Sequence, residues 1–86
     1  MTAAADTVSI LFFAAAADLV GADRLQLSLA GPQTLAELQQ TLFRQYPPLA
    51  AQAKFLMWAV NEQYAAAQTK LQAGDTIACI PPVSGG

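Results

Sequence analysis

A six-residue run, Val8-Ser9-Ile10-Leu11-Phe12-Phe13, carries apolar side chains on both faces of the strand it predicts. Successive side chains of a strand point to opposite sides, so Val8, Ile10 and Phe12 alternate with Ser9, Leu11 and Phe13. Such a strand needs cover above and below. The chain has 86 residues, enough for one small domain, and it offers one clear amphipathic helix. Thr34 and Glu37 have the N-cap and N3 spacing of a capping box. Leu35, Leu38, Leu42 and Tyr46 follow as one apolar stripe, and Pro47-Pro48 stops the helix. One helix covers one face of a sheet. The expected solution is an α+β domain, a small mixed sheet packed on one main helix. Either Leu11 and Phe13, or Val8, Ile10 and Phe12, are then left exposed. An uncovered apolar face points to a partner, unless a short helix folds over it.

The candidate for that short helix is residues 14–20, with Gly21 placed to end it. Residues 24–29 alternate: Leu25, Leu27 and Leu29 face one way and Arg24, Gln26 and Ser28 the other, a half-exposed strand. Gly31-Pro32 reads as a turn, and residues 49–55 leave room for a further helical turn or two. Residues 56–60 read as a strand, and Asn61-Glu62 as a turn into a short strand at residues 63–65. Gly74-Asp75 is a turn before a last strand, Thr76–Ile80. That strand repeats the two-sided question, Ile77 and Cys79 against Ala78 and Ile80. Pro81 and Pro82 have no backbone N–H and release the chain from the sheet in a stiff, extended form. The reading is a single domain, 1–86, with residues 1–6 a loose N-terminus and 81–86 a protruding C-terminal tail.

Composition removes several classes of function. There is no histidine and one cysteine, which excludes the usual zinc spacings, histidine acid–base catalysis and an internal disulfide framework. The net charge is −2, and the four cations Arg24, Arg44, Lys54 and Lys70 are scattered, which argues against nucleic acid. The early apolar run, residues 10–17, falls short of the ~20 residues needed to cross a bilayer, and no cationic segment precedes it. No membrane partner is expected, and a reducing cytoplasm fits the cysteine usage.

The chain ends in Val83-Ser84-Gly85-Gly86. Glycine has no Cβ, so Gly85 and Gly86 can pass a channel too narrow for a side chain. A terminal glycine carboxylate is also the least hindered acyl group a protein offers. Extended, residues 83–86 reach roughly 13 Å at ~3.3 Å per residue. That length is enough to carry the acyl group away from the domain.

These residues resemble a family. Ile10-Leu11-Phe12-Phe13-Ala14, Asp18-Leu19-Val20-Gly21, Val60-Asn61, Leu71-x-x-Gly74-Asp75-x-Ile77 and above all Pro81-Pro82-Val83-Ser84-Gly85-Gly86 are similar to the small subunit of molybdopterin synthase. That family comprises ubiquitin-like sulfur carriers of the β-grasp fold. The likeness runs from about residue 8 to residue 86. It implies that Gly86 is adenylated by an ATP-using, E1-like activating enzyme and then converted to a thiocarboxylate. The sulfur is donated to cyclic pyranopterin monophosphate in molybdenum cofactor biosynthesis. Gly85, Ser84 and Val83 would provide passage into the active site of the large subunit, in a heterotetramer of two small and two large subunits. Phe13, Tyr64 and Ile80 fall at positions that contact the partners. The resemblance implies no bound cofactor, ATP being used by the activating enzyme, and catalytic residues on the large subunit.

Other residues read more plainly. Cys79 invites a persulfide route, but its place in an apolar strand reads as a buried core thiol. Trp58 reads as core, Lys54 and Lys70 as solvated surface and Asp75 as a turn residue. The competing functions are a sister carrier for thiamine or another thiolated product, a ubiquitin-like protein modifier, and a β-grasp interaction module with no chemistry at its tail.

Overall fold

The computed structural model describes residues 6–29 and 33–82. The first strand, β1 (Thr7–Phe12), is followed by α1 (Ala15–Val20) and β2 (Arg24–Ser28). Next come β3 (Gln33–Thr34), α2 (Leu35–Gln45), α3 (Pro47–Ala50) and a 3-10 turn, Ala53–Phe55. The chain finishes with β4 (Met57–Val60), β5 (Gln63–Tyr64), β6 (Lys70–Leu71) and β7 (Thr76–Ile80). Five strands make one sheet in the order β2-β1-β7-β4-β5. β1 and β7 pair in parallel at the centre, and the other pairs are antiparallel. A mixed sheet packed on one main helix is the α+β arrangement expected from the sequence, and it is the β-grasp fold that the resemblance implies.

The capping box forms as the spacing requires. Thr34 Oγ1 accepts from the Glu37 N–H at 3.3 Å, and the Glu37 carboxylate accepts from the Thr34 N–H at 2.8 Å. Leu35, Leu38 and Leu42 of the predicted stripe are buried, and Tyr46 is half-buried where α2 ends. They meet Val8, Ile10 and Phe12 from β1 and Ile77 and Cys79 from β7. Pro47 ends α2 and also opens α3, since the first helical position needs no N–H donor.

Two features differ from the sequence reading, and one alternative it left open is decided. Asp6, placed in the loose terminus, accepts a hydrogen bond from the Leu29 N–H at 2.6 Å; residues 1–5 lie outside the described residues. A second small sheet, β3 with β6, was not expected. The alternative decided is the position of α1, and the uncovered apolar face stands as read. The helix does not fold over the exposed face of the sheet. Ala16 sits fully buried in the core, and α1 packs against α3, on the side already held by α2.

Candidate functional site

Strand register decides which side chains share the uncovered face. Directly paired residues on neighbouring strands point the same way. One row therefore runs Arg24, Leu11, Ala78, Ala59, Tyr64 across β2, β1, β7, β4 and β5. The next row, toward the end of β7, pairs Ile80 with Met57, with Phe13 one step past β1 on the same side. The row on the other side is polar: Gln26, Ser9, Thr76. The apolar part of the face is thus gathered at the end where β7 finishes. Phe13 is 47% exposed, Met57 51% and Tyr64 71%, while Leu11, Ala78 and Ile80 are half-buried. Ala59 is buried by its neighbours yet takes no part in the core cluster.

A tight turn keeps Phe13 outside. Its N–H donates to the Cys79 carbonyl at 3.2 Å, so its backbone continues the β1–β7 ladder. Phe12 points inward and is buried, so the pleat sends Phe13 outward. The chain then has one residue, Ala14, in which to turn back over the core as α1. Ala14 takes φ 49 and ψ −126, and the Ala16 N–H donates to the Phe13 carbonyl at 3.0 Å. A positive φ is strained for alanine, on the order of 1–3 kcal/mol. The surrounding contacts hold it.

β7 is the central strand, bonded to β1 on one side and β4 on the other up to its last residues. Pro81 is half-buried and Pro82 exposed. With Ala15, Leu19, Gln52 and Leu56 they line a groove of about 350 Å³ on the helical side. Val83, Ser84, Gly85 and Gly86 lie outside the described residues.

At the opposite end of β7 a hydrogen-bonded clamp fixes the β4–β5 hairpin. Asn61 and Glu62 both take positive φ, 52 and 71, the geometry of a two-residue hairpin turn. The Asn61 N–H donates to the Thr76 carbonyl at 2.8 Å and its Nδ2 to Asp75 Oδ1 at 2.9 Å. Its Oδ1 accepts from the Thr76 N–H at 3.0 Å. Asp75 Oδ2 accepts from the Gln72 N–H at 2.7 Å. Asp75 is a turn residue, as read, and also the anchor that joins two turns 14 residues apart.

Cys79 is fully buried. Burial pushes its thiol up from an ordinary 9.0 to about 12, because an apolar surrounding disfavours the thiolate. The thiolate is the reactive form, so this thiol is inert at neutral pH. Trp58 is core, as read, edge-on to Phe43 with ring centroids 6.3 Å apart. Lys54 and Lys70 are exposed.

The structure brings Phe13 and Ile80 to the β7 end of one face and places Tyr64 in the adjoining row on the β5 edge. Sequence reasoning missed Met57. Its signal was the alternation within residues 56–60, which separates Met57 and Ala59 from Trp58 and Val60. Which pair faced out depended on register with β7.

Comparison with known proteins agrees with this geometry. The ThiS family matches residues 10–86. The chain is 34% identical over 82 residues to the molybdopterin synthase sulfur carrier subunit of Caenorhabditis briggsae, spanning 93% of this chain and 98% of that one. Among solved structures it is similar to SAMP1 from Haloferax volcanii, with TM-score 0.81 and 24% identity over 93% of this chain and 99% of that chain. It is also similar to a chain in the complex of subunits 1 and 2 of molybdopterin-converting factor from Helicobacter pylori. There the TM-score is 0.68 and the identity 23%, over 93% of this chain and 99% of that chain. At these identities the structural likenesses speak for the fold.

Proposed function

The chain belongs to the ThiS family, and from that membership we propose that it is the sulfur carrier subunit of a molybdopterin synthase. The observation that carries the proposal is its identity to a sulfur carrier subunit of that name over nearly the full length of both chains. The apolar outer face beside the end of β7 supports it, because a carrier must be recognised where its tail leaves the sheet.

The chemistry is assigned to Gly86. A carboxylate is a poor electrophile and needs a leaving group. On an E1-like activating enzyme, a Gly86 carboxylate oxygen attacks the α-phosphorus of ATP and pyrophosphate leaves, giving a glycyl adenylate. Sulfide, HS−, attacks the acyl carbon, AMP leaves, and loss of the S–H proton gives the terminal thiocarboxylate. The large subunit then receives residues 83–86, and the sulfur passes to cyclic pyranopterin monophosphate. Holding the sulfur on a tether replaces a bimolecular encounter by proximity. The chain binds no cofactor in this scheme; ATP belongs to the activating enzyme. Phe13, Ile80 and Tyr64, with Met57 beside Ile80, form the surface offered to the large subunit in an assembly of two small and two large subunits. Among the described residues no helix is long and apolar enough to cross a membrane. We place the chain in the cytoplasm.

Intact mass spectrometry tests this directly. Incubation with ATP, the activating enzyme and a sulfide source is expected to exchange one oxygen for sulfur on the C-terminal peptide. Addition of the large subunit and precursor is expected to discharge it as molybdopterin. A chain that gains no sulfur refutes the proposal. Isopeptide conjugates to lysines would mark a protein modifier, and a thiocarboxylate that the large subunit cannot discharge would mark a sister pathway.

A further inference from the structure

An open depression of about 480 Å³ lies on the outer face, toward the clamped end of β7. Leu11, Phe13, Thr76, Ala78, Asn61 and Glu62 line it. Its floor is apolar and its rim holds one carboxylate. Among the described residues no hydrogen bond or ion pair engages the Glu62 side chain. Asp75 nearby is different, since both its oxygens accept hydrogen bonds. Arg24 shares the face but sits on β2, three strand spacings from β4. That is about 14 Å at ~4.8 Å per spacing, beyond the ~8 Å over which exposed charges act at physiological salt. Arg24 therefore does not serve Glu62.

We infer that this depression seats a cationic side chain, arginine or lysine, from the large subunit. The inference rests on the function proposed above and names the chemistry of its partner surface. The fit is one of parts. Leu11 and Ala78 would take the aliphatic stem, as long cationic side chains bury their stems on apolar surface. The Phe13 ring lies at the wall, where a cation gains from the face of the aromatic. Glu62 would complete the ion pair at the rim. The backbone of Glu62 is fixed, because Asn61 ties the turn to Asp75 and Thr76. Less conformational freedom is then lost on pairing. The depression also continues the apolar patch through Phe13, so one partner surface can cover both.

The test is calorimetric titration of the full chain with the large subunit at several salt concentrations, beside thermal melts. Glu62→Gln keeps shape and removes charge. It is expected to raise Kd about three- to tenfold at low salt and to flatten the salt dependence, because a rim charge acts mainly through screened attraction. Glu62→Lys is expected to weaken binding further. Both variants should melt like the parent chain, since the carboxylate holds nothing in the fold. The inference is overturned if Glu62→Gln leaves Kd and salt dependence unchanged while Phe13→Ala weakens binding. If neither substitution matters, the sheet-face interface falls as well. Thiocarboxylate formation at Gly86 is read separately by mass, so the carrier function can stand or fall on its own.

Discussion

Replacing Phe12 and Phe13 with alanine, one at a time, compares two identical side chains that the sheet sends in opposite directions. Phe12 is 3% exposed within the cluster of Val8, Ile10, Leu38 and Cys79. Truncating a buried phenylalanine costs about 3–5 kcal/mol. At ~0.05–0.15 kcal/mol per residue, a chain of 86 residues has roughly 4–13 kcal/mol of stability. Phe12→Ala is therefore expected to remove from about a quarter of that stability to all of it. Phe13 already keeps 47% of its surface in water. Full burial of such a side chain contributes about 1.5–3 kcal/mol, so the loss on truncation is about half that, near 1 kcal/mol. On binding, the order reverses. A central aromatic anchor contributes on the order of 2 kcal/mol or more, which is a factor of roughly 30 in Kd. Urea melts of both variants, compared at equal m-value, give the folding term. Titration of Phe13→Ala against the large subunit gives the binding term. The reasoning is refuted if Phe13→Ala destabilises the fold as much as Phe12→Ala while its folded fraction binds normally.

Other expectations follow from the tail, the thiol and the clamp. Deleting Gly86, or appending one alanine to it, is expected to abolish sulfur loading in the intact-mass assay; normal loading in either variant would remove Gly86 as the acyl carrier. Cys79→Ala is expected to load sulfur normally, and loss of loading in a folded variant would favour a persulfide route. The buried thiol also predicts a pH effect. Its folded pKa is raised, so its contribution is fully present below the unfolded value of 9.0 and is lost as pH rises toward about 12. The urea midpoint should fall across that window, and less steeply in Cys79→Ala; identical slopes would contradict burial as the cause. Asn61→Ala is expected to cost about 1–2 kcal/mol through its two side-chain hydrogen bonds and the positive φ. Asn61→Gly should recover the φ part alone in the same urea melts, and equal losses would show that the turn conformation contributes nothing.

Legibility in the sequence followed the range of the interaction. The α2 helix could be read because its cap and its stripe lie within a few turns of one another, from Thr34 to Leu42. The alternation of β1 was equally plain. Which of its faces would be buried was not, since Val8, Ile10 and Phe12 rival Leu11 and Phe13 in apolarity. The core side is the one that α2 and α1 share, and the turn that carries α1 there rests on a positive φ at Ala14, which leaves no mark in a sequence. The β3–β6 pair escaped because two residues have no period. It is held by contacts from afar, including Leu35 N–H to the Thr69 carbonyl and Ala36 N–H to the Ala67 carbonyl. The Asn61–Asp75 clamp spans 14 residues, so neither residue alone announced it. At the candidate site, Phe13, Tyr64 and Ile80 were named from resemblance. Met57 was lost because its facing depends on pairing with Ile80 across the sheet.

On the proposed function, the position of β7 would link recognition to delivery. A tail attached to an edge strand or a loop would inherit the movement of its root. This one leaves a strand bonded on both sides, to β1 through Phe12 and Cys79 and to β4 through Met57 and Ile80. Fraying there would break two ladders at once. Two prolines then continue from the strand, and each has its φ fixed by its ring. Ile80 belongs to the outer face and immediately precedes Pro81. A partner that grips the apolar patch therefore holds the last point before the tail, with little chain in between to blur its aim. Effective concentration falls as a tether gains length and freedom. On the proposed function, a stiff root at β7 would keep a sulfur held beyond it near the partner's pocket.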